Sequence, residues 1–581
     1  MSNSAAAIST SHTGTQSLKW RRFLFAFLVL GSSITLFALM AAAIFLPAGW
    51  DGWGVVMLAM FALTLPWTTI GFWNAVIGFL IMTLCRDPEA LVAPYSRMVD
   101  HDDPINSHTA ICICTRNEET ARLSRNLSWM LERLVHTGEG QWFHLFILSD
   151  SNQSTIVEAE QTLAQDLAAR FGHQVEVHYR QRVGGEGFKA GNLRDFLERW
   201  GHQYEYLIVL DADSLMSPVA MLRLVRIMQA HPLIGILQTL VTALPTTSAF
   251  ARVFQFGMRL GMRSWTLGAA WWQGDCGPYW GHNAILRIKP FTEYCQLPVI
   301  PGSPPLGGHV LSHDQLEAVL MRRAGYEVRV LPDEGGSWEE NPPHLLEFIR
   351  RDLRWCQGNM QYFHFVKMPG LLMVSRWQLW LAIAMYLSGP GWMGFTLFAM
   401  IRHGPMDTTL GLITLSTSLV MSFTPKLATL ADVLMRARSR EAFGGTVRIL
   451  VGSLIETVFT MLIAPVIALS VTLFVLGLPF GKRMTWEAQQ RDTEGIPISL
   501  ALNRLWPHLM TGVAFVVSLY FLAPGALAFA APFYLGLISA PALTVLSGSP
   551  RVGNWARHVG LCLLPEENPK QHHASFQLDI R

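Results

Sequence analysis

Charge is what this sequence has least of. Only 15% of its 581 residues are charged while 51% are hydrophobic, and the mean hydropathy is +0.29. That balance excludes an ordinary soluble protein and favours a membrane one. The 44 Lys and Arg nearly cancel the 42 Asp and Glu, leaving +2. With no Lys/Arg-rich tract and no basic patch spaced by aromatics, nucleic acid is not an expected partner. Cysteine is scarce too: seven, an odd number, without CxxC or zinc-ligand spacing. That excludes a disulfide framework and reads as reduced thiols on the cytosolic side. There is no internal repeat, and low complexity is confined to a Ser/Thr/Ala-rich tip within residues 1–18, expected to be disordered.

What is present in quantity is long apolar runs. Residues 23–46 and 52–85, within a segment 19–99, are each long enough to cross a hydrocarbon layer of about 30 Å. The first is too long for a signal-peptide core and a second run follows at once, so it reads as a retained span. Lys19, Arg21 and Arg22 precede it, the intervening "PAGWDGW" has no Lys or Arg, and Arg86 and Arg97 follow the second run. The positive-inside rule then puts the amino terminus and everything after Cys85 in the cytosol. Apolar runs resume at 374–401, 408–434, 446–478 and 507–546, the last with a break at "LAPGAL". Reading 446–478 as two segments hinged near Pro465 keeps the polar loop "GKRMTWEAQQRDTEG" cytosolic and gives about six segments over 373–550, eight in all. A cytosolic tail, 551–581, follows. No long soluble segment precedes the first run, so regulation through such an extension is not expected.

Residues 100–343 have the texture of a soluble α/β domain. "TAICICTR", "HLFILSDS", "QVEVHYRQR" and "YEYLIVLDADS" read as strands between amphipathic helical stretches at 119–135 and 156–171, a doubly wound pattern. Such sheets bind ligands beyond their strand ends, where Asp150, Asp211 and Asp213 fall. Two acids one residue apart at a strand end suit a hard cation, Mg²⁺ or Mn²⁺, which keeps coordination sites for phosphate oxygens. Alone, "DAD" is as readily an ordinary acidic turn. The "TRNEE" turn, with Thr115, Asn117 and Glu118, ends a third strand. The Gly-rich "GGEGFKAGN" offers Lys189 to a phosphate, although an ordinary turn would look the same. Asp314 in "LSHDQLEAVL" is either a helix cap or a general base. In 344–372, Arg351, Arg354 and Trp355 share one helical face, suited to a diphosphate and a sugar, or simply to a membrane surface.

The ordered set "SD" (Asp150), "DAD" (Asp211, Asp213), "HD" (Asp314) and "RDLRW" (351–355), with "FKAGN", resembles the processive inverting family-2 glycosyltransferases, the group of cellulose, chitin and hyaluronan synthases. Within that group, "LSDS", "LSHD", "RRDLRWCQGN" and "WEAQQRD" look most like the enzymes that build osmoregulated periplasmic glucans. The resemblance covers roughly residues 109–492. It implies an α/β GT-A glycosyltransferase domain inserted in a multi-span α-helical protein of the bacterial inner membrane, using UDP-glucose and Mg²⁺ (or Mn²⁺) to extend a β-1,2-linked glucan. It further implies that Asp150 contacts the uracil, Asp211 the nucleotide and Asp213 the metal. Asp314 would be the base, Arg354 would hold the diphosphate, and Trp355 would help form the acceptor platform. Thr115, Asn117, Glu118 and Lys189 fall on the donor side, and Gln357, His282 and Arg351 on the acceptor or gating side. A glucan acceptor, the lipid bilayer, acyl carrier protein and a periplasmic glucan-processing protein are the implied partners.

Two departures stand out. Arg351 replaces the Gln of QxxRW, and the loop at 480–505 lacks the FxVTxK pattern of cellulose synthase, so Trp486 and Arg491 are the residues there expected to gate. Glu456, inside an apolar run, lines a glucan path, or else sits at the interface or pairs with Arg448. Trp377, Trp380 and Trp392 read as interface anchors. Two other functions fit the same residues less fully: a transferase adding one hexose to a lipid carrier, and a transporter whose cytosolic domain senses a nucleotide.

Overall fold

The computed structural model describes residues 3–100, 102–402, 404–484 and 495–568, with side chains from Ser17 onward. The four expected strands form β1 (Thr109–Thr115), β2 (Phe143–Ser149), β3 (Glu176–Gln181) and β4 (Tyr206–Asp211), all parallel, in the order β3-β2-β1-β4. The near-continuous apolar runs of β1, β2 and β4 are what a sheet covered on both faces requires, while β3, at the sheet edge, is partly exposed and more polar. The residue alternation shows this directly. Ile111, Ile113, Leu145, Ile147, Ile208 and Leu210 pack into one core cluster. Ala110, Cys112, Phe146, Leu148, Leu207 and Val209 pack into the other, as the two-residue period of a strand dictates.

The other half of the sheet departs from the doubly wound expectation. It adds β5 (Leu215–Met216), β6 (Ile234–Ala243), β7 (Ala284–Arg287) and β8 (Glu327–Glu339), giving the full order β3-β2-β1-β4-β7-β6-β8-β5. β7 is antiparallel to both β4 and β6, so the sheet is mixed. The reason is the connection before it. Helix Ala249–Gln273 leaves the sheet to pack on the apolar helix Gly52–Leu84, and the chain returns in the opposite sense. The two helices touch backbone to backbone: a Cβ on Gly78 would lie 1.8 Å from the Ser264 carbonyl, and Trp272 Nε1 donates to Asn74 Oδ1 at 2.9 Å.

Among the described residues six helices are long and apolar enough to cross a membrane, or seven if the bent pair Ala531–Ser547 and Pro550–His558 counts as one span. This corrects the expected eight. Helix Thr446–Gly477 runs unbroken through Pro465, which Gly536 of helix Ala531–Ser547 packs against, so neighbouring backbone supports the turn that proline weakens. Both ends of that helix still meet the α/β domain. Ile449 clusters with Phe256 and Leu260, while Phe474 and Leu478 share a cluster with Cys356 and Met360. The start of the loop that follows, Gly481–Met484, therefore lies against the α/β domain, where the Met484 N–H bonds Gln357. The first helix begins at Asn3, so the tip expected to be disordered continues a helix that Ala5, Ala6 and Ala7 favour.

Candidate active site

The carboxyl ends of β1, β2 and β4 converge, as the Asp150 N–H bonded to the Thr115 carbonyl at 2.9 Å shows. On this side Asp150 and Asp211 are each held by a cation. Arg182 grips Asp150 with two bonds, 2.9 and 2.7 Å, and the Asp150 side chain is only 5% exposed. Lys189 Nζ bonds Asp211 and donates to the Gly281 carbonyl at 2.8 Å. Burial works against the Lys189 ammonium, but Asp211 outweighs it and the pKa is raised. The turn delivering Lys189 needs glycine at Gly187, whose φ is +73° and whose added Cβ would crowd Gly191. Asn117 sits beside the wall rather than on it. Its Oδ1 accepts from the Asn152 and Gln153 N–H groups and its own N–H donates to Ser151 Oγ, tying two strand-end loops together.

Asp213 is buried next to a group the sequence reading missed. Glu339, the last residue of β8, is brought over by the pairing of Ala243 with Glu339, and it meets His282 at 3.5 Å. Burial raises the Glu339 pKa, and the charges of Asp213 and Asp211 push the same way. Burial alone would lower the pKa of His282, but Glu339 and Asp211 raise it. Glu339 with Asp213 and Asp211 near it in one cleft is a set of carboxylate oxygens whose negative charge a divalent cation would offset. They do not form a closed cage. Among the described residues the only three His or acid groups with ligand atoms within 4.8 Å of one another are His144, Glu176 and His178, on β2 and β3. A divalent ion at Asp213 would thus share its coordination with substrate oxygens, as Mg²⁺ commonly does.

Opposite stands helix Asp314–Arg323. Asp314 is its first residue, not its cap; the cap is His313. Behind Asp314, His313 Nδ1 and Glu317 Oε2 lie 2.8 Å apart, both buried. On helix Leu345–Met360, Arg351 stacks over Trp355 at 4.7 Å and over Phe348 at 5.8 Å, so the residue replacing Gln braces the aromatic face. Trp355 remains 45% exposed. Gln357 points the other way. Its Nε2 donates to the Pro305 carbonyl at 3.1 Å and its Oε1 accepts from the Met484 N–H at 2.7 Å.

A cavity of about 520 Å³ unites these walls. Of the residues expected to bind the donor or metal, it is lined by Thr115, Glu118, Asp150, Lys189, Asp211 and Asp213. Asp314, Arg354, Trp355, Arg351 and His282 line the rest. It continues between the apolar helices to Trp67, Leu381 and Met385. Glu456 is not on its wall. That acid is buried and paired with Lys426, not Arg448, and Thr460 donates to it at 2.6 Å. Trp377 and Trp380 are exposed, whereas Trp392 packs edge-on against Phe61 inside the bundle. Trp486 and Arg491 lie outside the described residues. Three further buried polar atoms on the wall, Gln273 Oε1, Tyr279 OH and Gln315 Nε2, have no hydrogen-bond partner among the described residues, and neither does Thr115 Oγ1. Each such group is unfavourable by about 1–3 kcal/mol unless a ligand satisfies it.

Strand ends carrying acids and a basic helix across the cavity are the arrangement of a sugar-nucleotide transferase of the GT-A fold. Residues 110–295 match the family described as glycosyl transferase family 2, and 206–482 match glycosyl transferase family group 2. Together the two matches make residues 110–482 a family-2 glycosyl transferase region. Among curated proteins it is similar to the glucans biosynthesis glucosyltransferase H of Dickeya dadantii, 35% identical over 535 residues. It is equally similar to those of Pectobacterium carotovorum (537 residues) and Pseudomonas entomophila (536 residues). Each alignment takes in 88% of this chain and 62% of the relative, so the chain spans less than two thirds of their length. A solved mannosyltransferase, PcManGT from Pyrobaculum calidifontis in complex with GDP-Man and Mn²⁺, aligns with 64% of this chain and 98% of its own at 14% identity and a TM-score of 0.40.

Proposed function

We propose that the protein is a membrane-embedded processive glucosyltransferase that extends a β-1,2-linked glucan from UDP-glucose and passes the product between its apolar helices. The observation that carries this reading is the single cavity in which Asp150, Asp211, Asp213, Asp314, Arg354 and Trp355 meet and which runs on to Trp67 and Met385. A transferase for one soluble sugar has no use for that extension. The name shared by the relatives supports glucan as product. The basic residues flanking the spans support a bacterial inner membrane with the catalytic domain in the cytosol. Nothing in the described surface singles out acyl carrier protein or a periplasmic processing protein, and neither enters this reading.

In the proposed reaction, Asp150 and Thr115 bind the uracil, and Lys189 and Asp211 the nucleotide. Asp213, with Glu339 beside it, would hold Mg²⁺ or Mn²⁺, which when bound offsets charge on the diphosphate. The acceptor, seated on Trp355, presents a hydroxyl to Asp314. As its oxygen attacks the anomeric carbon, the bond from that carbon to the β-phosphate oxygen breaks, Asp314 takes the hydroxyl proton, and Arg354 faces the departing UDP. One displacement inverts the α-linked donor to a β-linkage.

The test is transfer of label from UDP-glucose by the full chain, purified and reconstituted in lipid with Mg²⁺, followed by linkage analysis. A β-1,2 polymer is expected. A labelled lipid with no polymer would point to the carrier-dependent transferase instead. Nucleotide binding without transfer from any UDP-sugar would leave only the sensor.

A further inference from the structure

Tyr279 lies in "CGPYWGHN", the segment that returns from helix Ala249–Gln273 to β7. It is 1% exposed, its hydroxyl is without a partner among the described residues, and it lines the cavity. Its backbone surroundings are fixed on both sides. The Gly277 N–H bonds the Val328 carbonyl at 2.7 Å, the Trp280 N–H bonds Gln238 Oε1 at 2.9 Å, and the Gly281 carbonyl takes the bond from Lys189. A phenol so held has little freedom to find a partner elsewhere. The charges acting on it, strongest first, are those of Glu317, Asp314 and Asp211, with burial keeping the hydroxyl protonated and therefore a donor.

That position has a meaning for the reaction. The diphosphate belongs beside Lys189 and Asp211 and the attacking hydroxyl beside Asp314, so the hexose being transferred must lie between them. We propose that the Tyr279 hydroxyl donates a hydrogen bond to a hydroxyl of the donor hexose and so selects which hexose is transferred. This inference rests on the transferase function proposed above. A site that satisfies a buried polar group only with the correct sugar rejects the analogue lacking that hydroxyl.

The test compares the full chain and Tyr279→Phe, both reconstituted, on UDP-glucose and on its 2-, 3-, 4- and 6-deoxy analogues. For one analogue, wild type should lose about 10- to 100-fold in kcat/KM relative to UDP-glucose. Tyr279→Phe should lose the same factor on UDP-glucose, match wild type on that analogue, bind UDP unchanged, and unfold at no lower temperature, since an unpartnered hydroxyl is being removed. An unchanged kcat/KM on UDP-glucose would overturn the inference. So would a loss shared equally by every donor, whether it comes from misfolding or from weaker acceptor binding. Failure of wild type to transfer from any UDP-sugar would instead overturn the function itself, and this inference with it.

Discussion

The two walls of the cavity treat their acids differently. On the wall built from strand ends, Asp150 is gripped by Arg182 and Asp211 by Lys189. On the wall built from helices, the Asp314 carboxylate takes no hydrogen bond and no ion pair among the described residues, and Asp352, behind that wall and off the cavity lining, has a tyrosine hydroxyl, that of Tyr386 at 3.1 Å. Acids that only hold a ligand are best immobilised by a counter-charge, which also keeps them ionised. An acid that must accept a proton during the reaction has to keep a lone pair free for it. Under the proposed function the difference between the walls is a division of labour between binding and proton transfer.

The sharpest way to break this comparison is Asp314→Asn. Transfer should fall by about 10²- to 10⁴-fold while UDP binding, measured by calorimetry, stays as in wild type. Loss of UDP binding as well would mean the helical wall also holds the donor. The next largest effect is expected from Arg182→Met, which leaves the nearly inaccessible Asp150 without its cation. Breaking such a buried pair from one side destabilises by about 3–5 kcal/mol, read as a lower unfolding temperature in detergent. A melting point like that of wild type would show that water reaches Asp150 and that the pairing is incidental.

Asp352, on helix Leu345–Met360 but off the cavity lining, sharpens the comparison from the helical side. Burial, opposed by the Tyr386 bond and the charge of Arg351, raises its pKa to about 6. The folded chain therefore holds this proton where the unfolded chain has released it, and stability falls as pH rises from about 4 to about 6, then levels off. A two-unit shift corresponds to about 3 kcal/mol at neutral pH. Asp352→Asn should remove that slope and unfold at higher temperature above pH 6. Equal pH profiles for the two proteins would show that Asp352 is ionised in the fold.

How much of this was legible in the sequence depended on how local each signal is. The strands β1, β2 and β4 could be read because both faces are buried, which makes each a continuous apolar run, and β2 and β4 end at Asp150 and Asp211. β7 could not, because four residues, "AILR", carry no pattern that distinguishes an antiparallel insertion from a turn. Glu339 was missed for the same reason. It reaches Asp213 only through the register of β8 on β6, which shifts twice near Leu240, and "LPDEGGSWEE" reads as a glycine-rich turn. The partner of Glu456 was misassigned because Lys426 is 30 residues away on another helix while Arg448 is close in sequence. Periodicity reports which face of an element is buried, and it is silent about which element lies against that face.

Gln357 tests whether the two walls are coupled to the loop after the long apolar helix, and its effect should be the smallest of the four. Its side chain is buried and spends both ends on backbone, the Pro305 carbonyl and the Met484 N–H, so it fixes the distance between the segment preceding Asp314 and the loop that begins at Gly481. Gln357→Ala removes two neutral hydrogen bonds, about 1–2 kcal/mol in sum. If those bonds only stabilise the fold, the melting temperature drops and kcat/KM per folded molecule does not change. If they also set the loop over the cavity, kcat should fall several-fold with UDP affinity intact, because the donor wall carries no bond to Gln357. Steady-state kinetics on protein held well below its unfolding temperature separates the two outcomes. The second would extend the division of labour beyond the cavity, with the loop that begins at Gly481 coupled to the wall that handles the acceptor and not to the wall that holds the nucleotide.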